Sequence, residues 1–304
     1  MRQPYRNLTG ELMNNQNSSR LKLFLSMSIF GTIGIFRNYI DMPSSVIAMS
    51  RGLIGMLFLL LVILLFKRSK ISFESIKKNL CILLISGVCI GINWILLFEA
   101  YRYTTVSTAT LCYYMAPVFV ILLSPFVFKE RFTAKKAICT LCSILGMLII
   151  SGIFGNASAN PTGIILGLGA AMLYASVVMM NKFIKGIRDE EKTLIQLGAA
   201  GISLVPYVLL TESLGDISAG SLSVVFLIIV GVIHTGIAYS MYFGSIDKLN
   251  VQTVAISSYI DPVVALILSA LLLHEEFTWV HLIGSILILG AAFISEMPAK
   301  KELK

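Results

Sequence analysis

The stretch "SSYIDPVVALILSALLLHEEFT", residues 257–278, reads as an apolar helix, yet Asp261 and Pro262 stand side by side within it. A carboxylate and a helix breaker inside an apolar run need a setting that tolerates both. The whole chain supplies that setting. Of its 304 residues, 57% are hydrophobic and only 13% charged, and mean hydropathy is +0.86. Soluble domains carry about a quarter charged residues. The apolar residues cluster in runs such as Leu53–Phe66, Phe119–Phe128 and Leu282–Ser295. A bilayer core takes about 20 such residues per helix. The pattern predicts an all-α integral membrane protein.

Ten transmembrane helices are expected, at residues 21–40, 43–66, 79–101, 104–128, 134–154, 161–182, 190–211, 221–245, 250–273 and 277–296. The first 20 residues, ending "NNQNSSR", read as a polar, flexible tail, and residues 297–304 as a second tail. No cleavable leader is expected, since no small-residue cleavage site follows a short apolar core. Of the 24 Lys and Arg, all but Arg37, Arg51 and Arg102 fall on one side of the predicted spans. The positive-inside rule then puts both termini in the cytoplasm of a cytoplasmic-membrane protein. The same placement explains the net charge of +8 without nucleic acid, because no basic face is interleaved with aromatics. The five cysteines lie inside apolar segments, and "CTLC" at Cys139–Cys142 has no His or Cys partner nearby in sequence. Packing is the expected role, with no metal and no cofactor.

Shifted by 145 residues, the chain overlays itself without a gap. Tyr114 meets Tyr259, Pro117 meets Pro262, Ser124 meets Ser269, Glu130 meets Glu275, and Phe132–Thr133 meets Phe277–Thr278. Five spans per copy is an odd number, so the second copy enters the membrane from the opposite side. The expected architecture is two inverted five-helix repeats, residues 21–154 and 161–296. Inverted repeats characterise secondary transporters, which bind substrate near the midplane between the halves.

With "DPVVALILSALLLHEE", its first-half echo "APVFVILLSPFVFKE" and "AMSRGLIGMLFLL" around Arg51, the chain resembles EamA-type transporters of the drug/metabolite transporter superfamily. The likeness covers both halves. It implies a ten-helix, two-repeat fold and transport by alternating access. Two positions depart from the family pattern: Asp261 stands where Glu is common, and "SIFGTIG" lacks the usual Trp before Gly. An acid before this proline is common in the family, which implies a shared part in architecture or gating more than in choice of substrate.

Asp261 falls about 16 Å into its span at about 1.5 Å per residue. A charge facing lipid at that depth costs at least about 2.5 kcal/mol, so the carboxylate should face the bundle interior. Pro117 and Pro262 cannot donate an amide and predict paired kinks. Polar or amphipathic groups at depth add substrate-cavity candidates: Arg51, Asn93, Trp94, Tyr114, Tyr174, Gln196, His234, Tyr239 and Tyr259. A few polar groups among aromatics suit a small-molecule pocket. Other readings stand beside this one. Arg51 and Asp261 could form a structural salt bridge, His234 could be a hydrogen-bonded core histidine, and the tyrosines could serve packing alone. Glu130 and Glu275 read as turn residues that cap or tether a helix, and Gly87–Gly91 and Gly163–Gly167 as close packing.

The function expected is export of a small polar, amino-acid-like metabolite, coupled to protons through Asp261 or His234. A passive uniporter, a membrane scaffold and an intramembrane enzyme are the alternatives. Neither H-E-x-x-H nor G-x-S-x-G occurs, so no enzyme is expected. The expected partners are the small-molecule substrate, the lipid bilayer and protons, with the chain acting as a monomer or homodimer.

Overall fold

The structure is a computed structural model and describes residues 4–37, 39–65, 73–104, 109, 112–130, 133–150, 160–213, 220–272 and 279–296. Its helices are α1 (Pro4–Arg37), α2 (Ser44–Leu65), α3 (Phe73–Tyr103), α4 (Ala116–Phe128), α5 (Ala134–Ile150), α6 (Pro161–Phe183) and α7 (Asp189–Thr211). There follow α8 (Ser221–Ile246), α9a (Val251–Ser257), α9b (Ile260–Leu272) and α10 (Trp279–Glu296). Among the described residues, six helical stretches are long and apolar enough to cross a membrane, the first of them Gln16–Arg37 and the last Ser221–Ile246. Ala116–Phe128 and Leu282–Ala291 are shorter apolar helices.

Local chemistry sets the helix ends. Asn160 caps α6 by accepting from the Thr162 amide at 2.9 Å, and Pro161 follows at the start, where its missing donor costs nothing. α7 opens on Asp189, Glu190 and Glu191, which complement the positive end of the helix. α4 ends at Lys129 in the left-handed region, φ 55°.

Two expectations change. Helix begins at Pro4, so most of the N-terminal segment expected as a flexible tail continues α1. Extending a helix that the membrane span has already nucleated is cheap. The expected proline kinks are breaks. Residues 114–115 and 258–259 are turns, and Pro117 and Pro262 sit in the first turn of the segments that follow. A proline there loses no helical hydrogen bond, so the chain restarts instead of bending. Phe132, His274, Glu275, Phe277, Thr278 and the segment 297–304 lie outside the described residues.

The packing partners reveal the symmetry. α3 lies against α6 and α7, and α8 lies against α1 and α2. α4 packs on α6, as α9b packs on α1. Exchange helices one to five with six to ten and each of these pairs becomes its counterpart. The pairs α2–α7, α5–α10 and α4–α9a map onto themselves and lie along the pseudo-twofold axis. The fold is all-α, built of two inverted repeats. Small residues let the helices close. A methyl at Gly87 would come within 2.5 Å of the Gln196 carbonyl oxygen, which holds α3 tight on α7.

α8 contains an unusual stretch. Val230–Ile237 forms π-helix, with the Thr235 hydroxyl donating to the Val230 carbonyl at 3.0 Å. The wide turn presents His234 toward α1 and Gly231 and Gly236 toward α2.

Candidate functional site

The two chain breaks meet at the centre. The Tyr259 hydroxyl, just before α9b, donates to the Tyr114 carbonyl at 3.0 Å, just before α4. The Tyr114 hydroxyl in turn faces the Asp261 carboxylate. Asp261 sits in the first turn of α9b, where the helix dipole favours a negative charge. Its carboxylate therefore faces the other repeat, not the acyl chains.

Arg51, on α2, lies across the same space. Its guanidinium carbon is 4.2 Å from the centre of the Trp94 ring. Such stacking is worth about 0.5–2 kcal/mol. The Tyr239 hydroxyl faces both the Arg51 guanidinium and the Trp94 indole. Arg51 Nε is buried with no partner. Arg51 and Asp261 are half-buried while Trp94, Tyr239 and Tyr259 are buried. The two charges form no ion pair with each other, whereas Arg102–Glu99, Arg188–Glu191 and Lys192–Asp247 do pair.

An aromatic wall links them. The Tyr174 and Tyr242 rings stack within 8° of parallel at 6.3 Å, and Tyr113 lies 5.7 Å from Tyr174. The Tyr242 hydroxyl is buried, makes no hydrogen bond of standard geometry, and points toward those of Tyr174 and Ser258. Behind Tyr114 and Tyr259 lies a cavity of about 120 Å³ bounded by Cys112, Met115 and Met147.

Three further sequence candidates make contacts between helices. The Asn93 amide donates to the Ala170 carbonyl and joins α3 to α6. Gln196 donates to the Ser86 hydroxyl at 2.6 Å and joins α7 to α3. His234 Nε2 lies 2.7 Å from the Thr32 hydroxyl, with Phe36 against the ring at 4.8 Å. Thr32 Oγ1 is also 2.7 Å from the Ile29 carbonyl. A hydroxyl has one hydrogen, so when it goes to Ile29 the histidine donates through Nε2 and leaves Nδ1, which is buried without a partner, as an acceptor.

Sequence reasoning missed Tyr113 and the "FGT" of α1. Phe30 packs edge-on against Tyr239 at 5.0 Å. A methyl at Gly31 would come within 2.6 Å of the Asp261 carbonyl oxygen, so α1 lies directly on the α9 break. The motif "SIFGTIG" held that signal, since a bare glycine between Phe and Thr marks a close approach. Among the described residues no His, Cys, Asp and Glu cluster could hold a metal. Outside the spans, burial lifts the Asp247 carboxyl above its ordinary range, while the Lys192 ammonium 3.1 Å away pulls it down.

A positive group, a negative group and stacked phenols around one space can hold a small molecule with both charges and a planar or apolar body. Comparison with known proteins narrows the class. The sequence profile of the EamA-like transporter family matches residues 18–152 and again 161–297. The uncharacterized transporter YxxF of Bacillus subtilis (strain 168) is 31% identical, over 83% of this chain and 81% of its own. A Salmonella typhimurium (strain LT2) protein named "Probable amino-acid metabolite efflux pump" is 26% identical, over 58% of this chain and 62% of its own. A solved crystal structure superposes with a TM-score of 0.81 over 93% of this chain and 99% of that one; at 17% identity it shows the fold. Two profile matches that together span both repeats, on a helical architecture of the same kind, assign the chain: it is a multi-pass membrane protein and belongs to the EamA-like transporter family.

Proposed function

We propose that the protein exports a small zwitterionic metabolite of the amino-acid type across the cytoplasmic membrane by alternating access. One observation carries this reading: Arg51 and Asp261 face one aromatic space from opposite repeats and do not neutralise each other. A substrate carboxylate fits the unpartnered Nε of Arg51, and a substrate ammonium fits Asp261. Each head group then gains a charge-assisted hydrogen bond. The name carried by the Salmonella relative supports the class of substrate and the direction. The lysines and arginines crowd the loops on the side of both termini, which supports cytoplasmic ends. Asp261 is the proposed proton carrier. His234 is held by Thr32 and Phe36 in the α1–α8 contact, a setting that favours a structural role.

The test is counterflow and gradient-driven uptake in proteoliposomes with labelled amino acids. The expected result is saturable flux that rises with an imposed pH gradient. Asp261→Asn should retain counterflow and lose the pH dependence. Flux that ignores pH and voltage in the wild type would instead make the protein a passive uniporter. Absence of counterflow for every zwitterion tried would overturn the substrate class.

A further inference from the structure

At the basic end of the molecule, the hairpin between α8 and α9a is held by charged side chains from two other helices and from the segment just past α4. Lys182 of α6 donates to the Ile246 and Leu249 carbonyls, the first at 2.9 Å. Lys192 of α7, fully buried, donates to the Phe243 carbonyl at 3.0 Å and to Asp247 at 3.1 Å. Both cations meet the carbonyl end of α8, where positive charge is favoured. Glu130, just past α4, does the reverse: its Oε1 accepts from the Val251 amide at 3.1 Å, at the first residue of α9a. Asn250 occupies the capping position there but makes no side-chain cap. A carboxylate from the opposite repeat has taken over that task.

The origins of these groups differ. Lys182, Lys192 and the hairpin belong to the same repeat, so their bonds travel with it. Glu130 belongs to the other. A second bond across the repeats lies close by, from Gln252 Nε2 to the Ser124 hydroxyl at 2.6 Å. Both joints are incomplete, since Glu130 Oε2 and Gln252 Oε1 are buried without partners. All seven residues of α9a are buried, and this segment separates Asp261 from the basic face. A permanent joint would satisfy its buried oxygens; one that opens leaves them for the alternative state.

We propose that Glu130 is a gating residue: its grip on the Val251 amide closes the path from the central site to the basic face, and its release opens that path. The proposal rests on the transport reading. It does not depend on which metabolite is carried. Glu130 acts through α9a and touches no substrate.

The test uses the full chain in membrane vesicles, with the five native cysteines replaced and Ser257→Cys placed at the inner border of the central site. A membrane-impermeant thiol reagent is applied from each face. With Glu130 intact, labelling from the basic face should be slow. Glu130→Ala should raise it about tenfold, the factor that corresponds to 1.4 kcal/mol, and lower labelling from the opposite face. Glu130→Gln, which keeps an acceptor oxygen and loses the charge, should fall between. Val251→Pro removes the donor at a first helical position, where proline is tolerated, and Asn250 before it is already extended at ψ 137°. It should reproduce Glu130→Ala, and the double variant should add nothing. Unchanged sidedness in folded protein, or labelling that rises equally from both faces, would overturn the gate and leave Glu130 a structural cap. The labelling needs no substrate. Flux with unchanged labelling loses the gate and keeps the carrier; a Glu130-dependent switch without flux keeps the gate and loses the substrate class.

Discussion

Arg51 shows how one side chain can serve two tasks. Its plane rests on Trp94 and its head group faces Tyr239, yet Nε stays free. A lysine would keep the charge and lose the planar stack and the fixed fork. Arg51→Lys should therefore weaken substrate binding about tenfold, on the order of one charge-assisted hydrogen bond, with little loss of folded protein; binding titrations and thermal unfolding check the pair of outcomes. Tyr114→Phe removes the hydroxyl that meets Asp261 and should alter the pH dependence of flux while counterflow persists. At this scale the sequence was partly legible. A carboxylate and an arginine deep in apolar runs announce themselves, because lipid would not tolerate them. Asn93 and Gln196 look the same in sequence, and only the position of the neighbouring carbonyl or hydroxyl shows that they join helices. Tyr113 was invisible because it is one more aromatic beside another.

Helices four and nine were marked by their prolines, but the kind of distortion was not. A proline in mid-helix and a proline opening a new segment follow the same letters; the turns at 114–115 and 258–259 decide between them. The restart has a use, since it brings two helix N-termini to one place. Pro262→Ala restores a donor facing the Ser258 carbonyl and favours one continuous α9. The expected outcome is equal or higher thermal stability with markedly slower flux. The contact of α1 with this break is just as exacting. Gly31→Val would drive a side chain into the Asp261 carbonyl and Val264, and should cost about 1–3 kcal/mol of stability, read as a lower unfolding midpoint in detergent.

Across the whole molecule, the repeat was the most legible feature, because paired Pro, Tyr and Glu at a single offset are rare by chance in an apolar chain. The packing pairs that exchange or map onto themselves between α1–α5 and α6–α10 follow from it. Inversion makes a firm topological statement: cysteines placed near Gly186 and near Lys129 should label from the side of both termini, and one near Asn160 from the other. The gate at Glu130 was only half visible. Its place at the end of an apolar run suggested a cap, but the helix it caps belongs to the far half of the chain.

The π-helical stretch of α8 has a consequence for energetics. It has no counterpart in the matching part of α3, which is ordinary helix. A carrier made of two identical halves would have two end states of equal free energy, each the image of the other. One wide turn on one side alone removes that equality under the proposed alternating access.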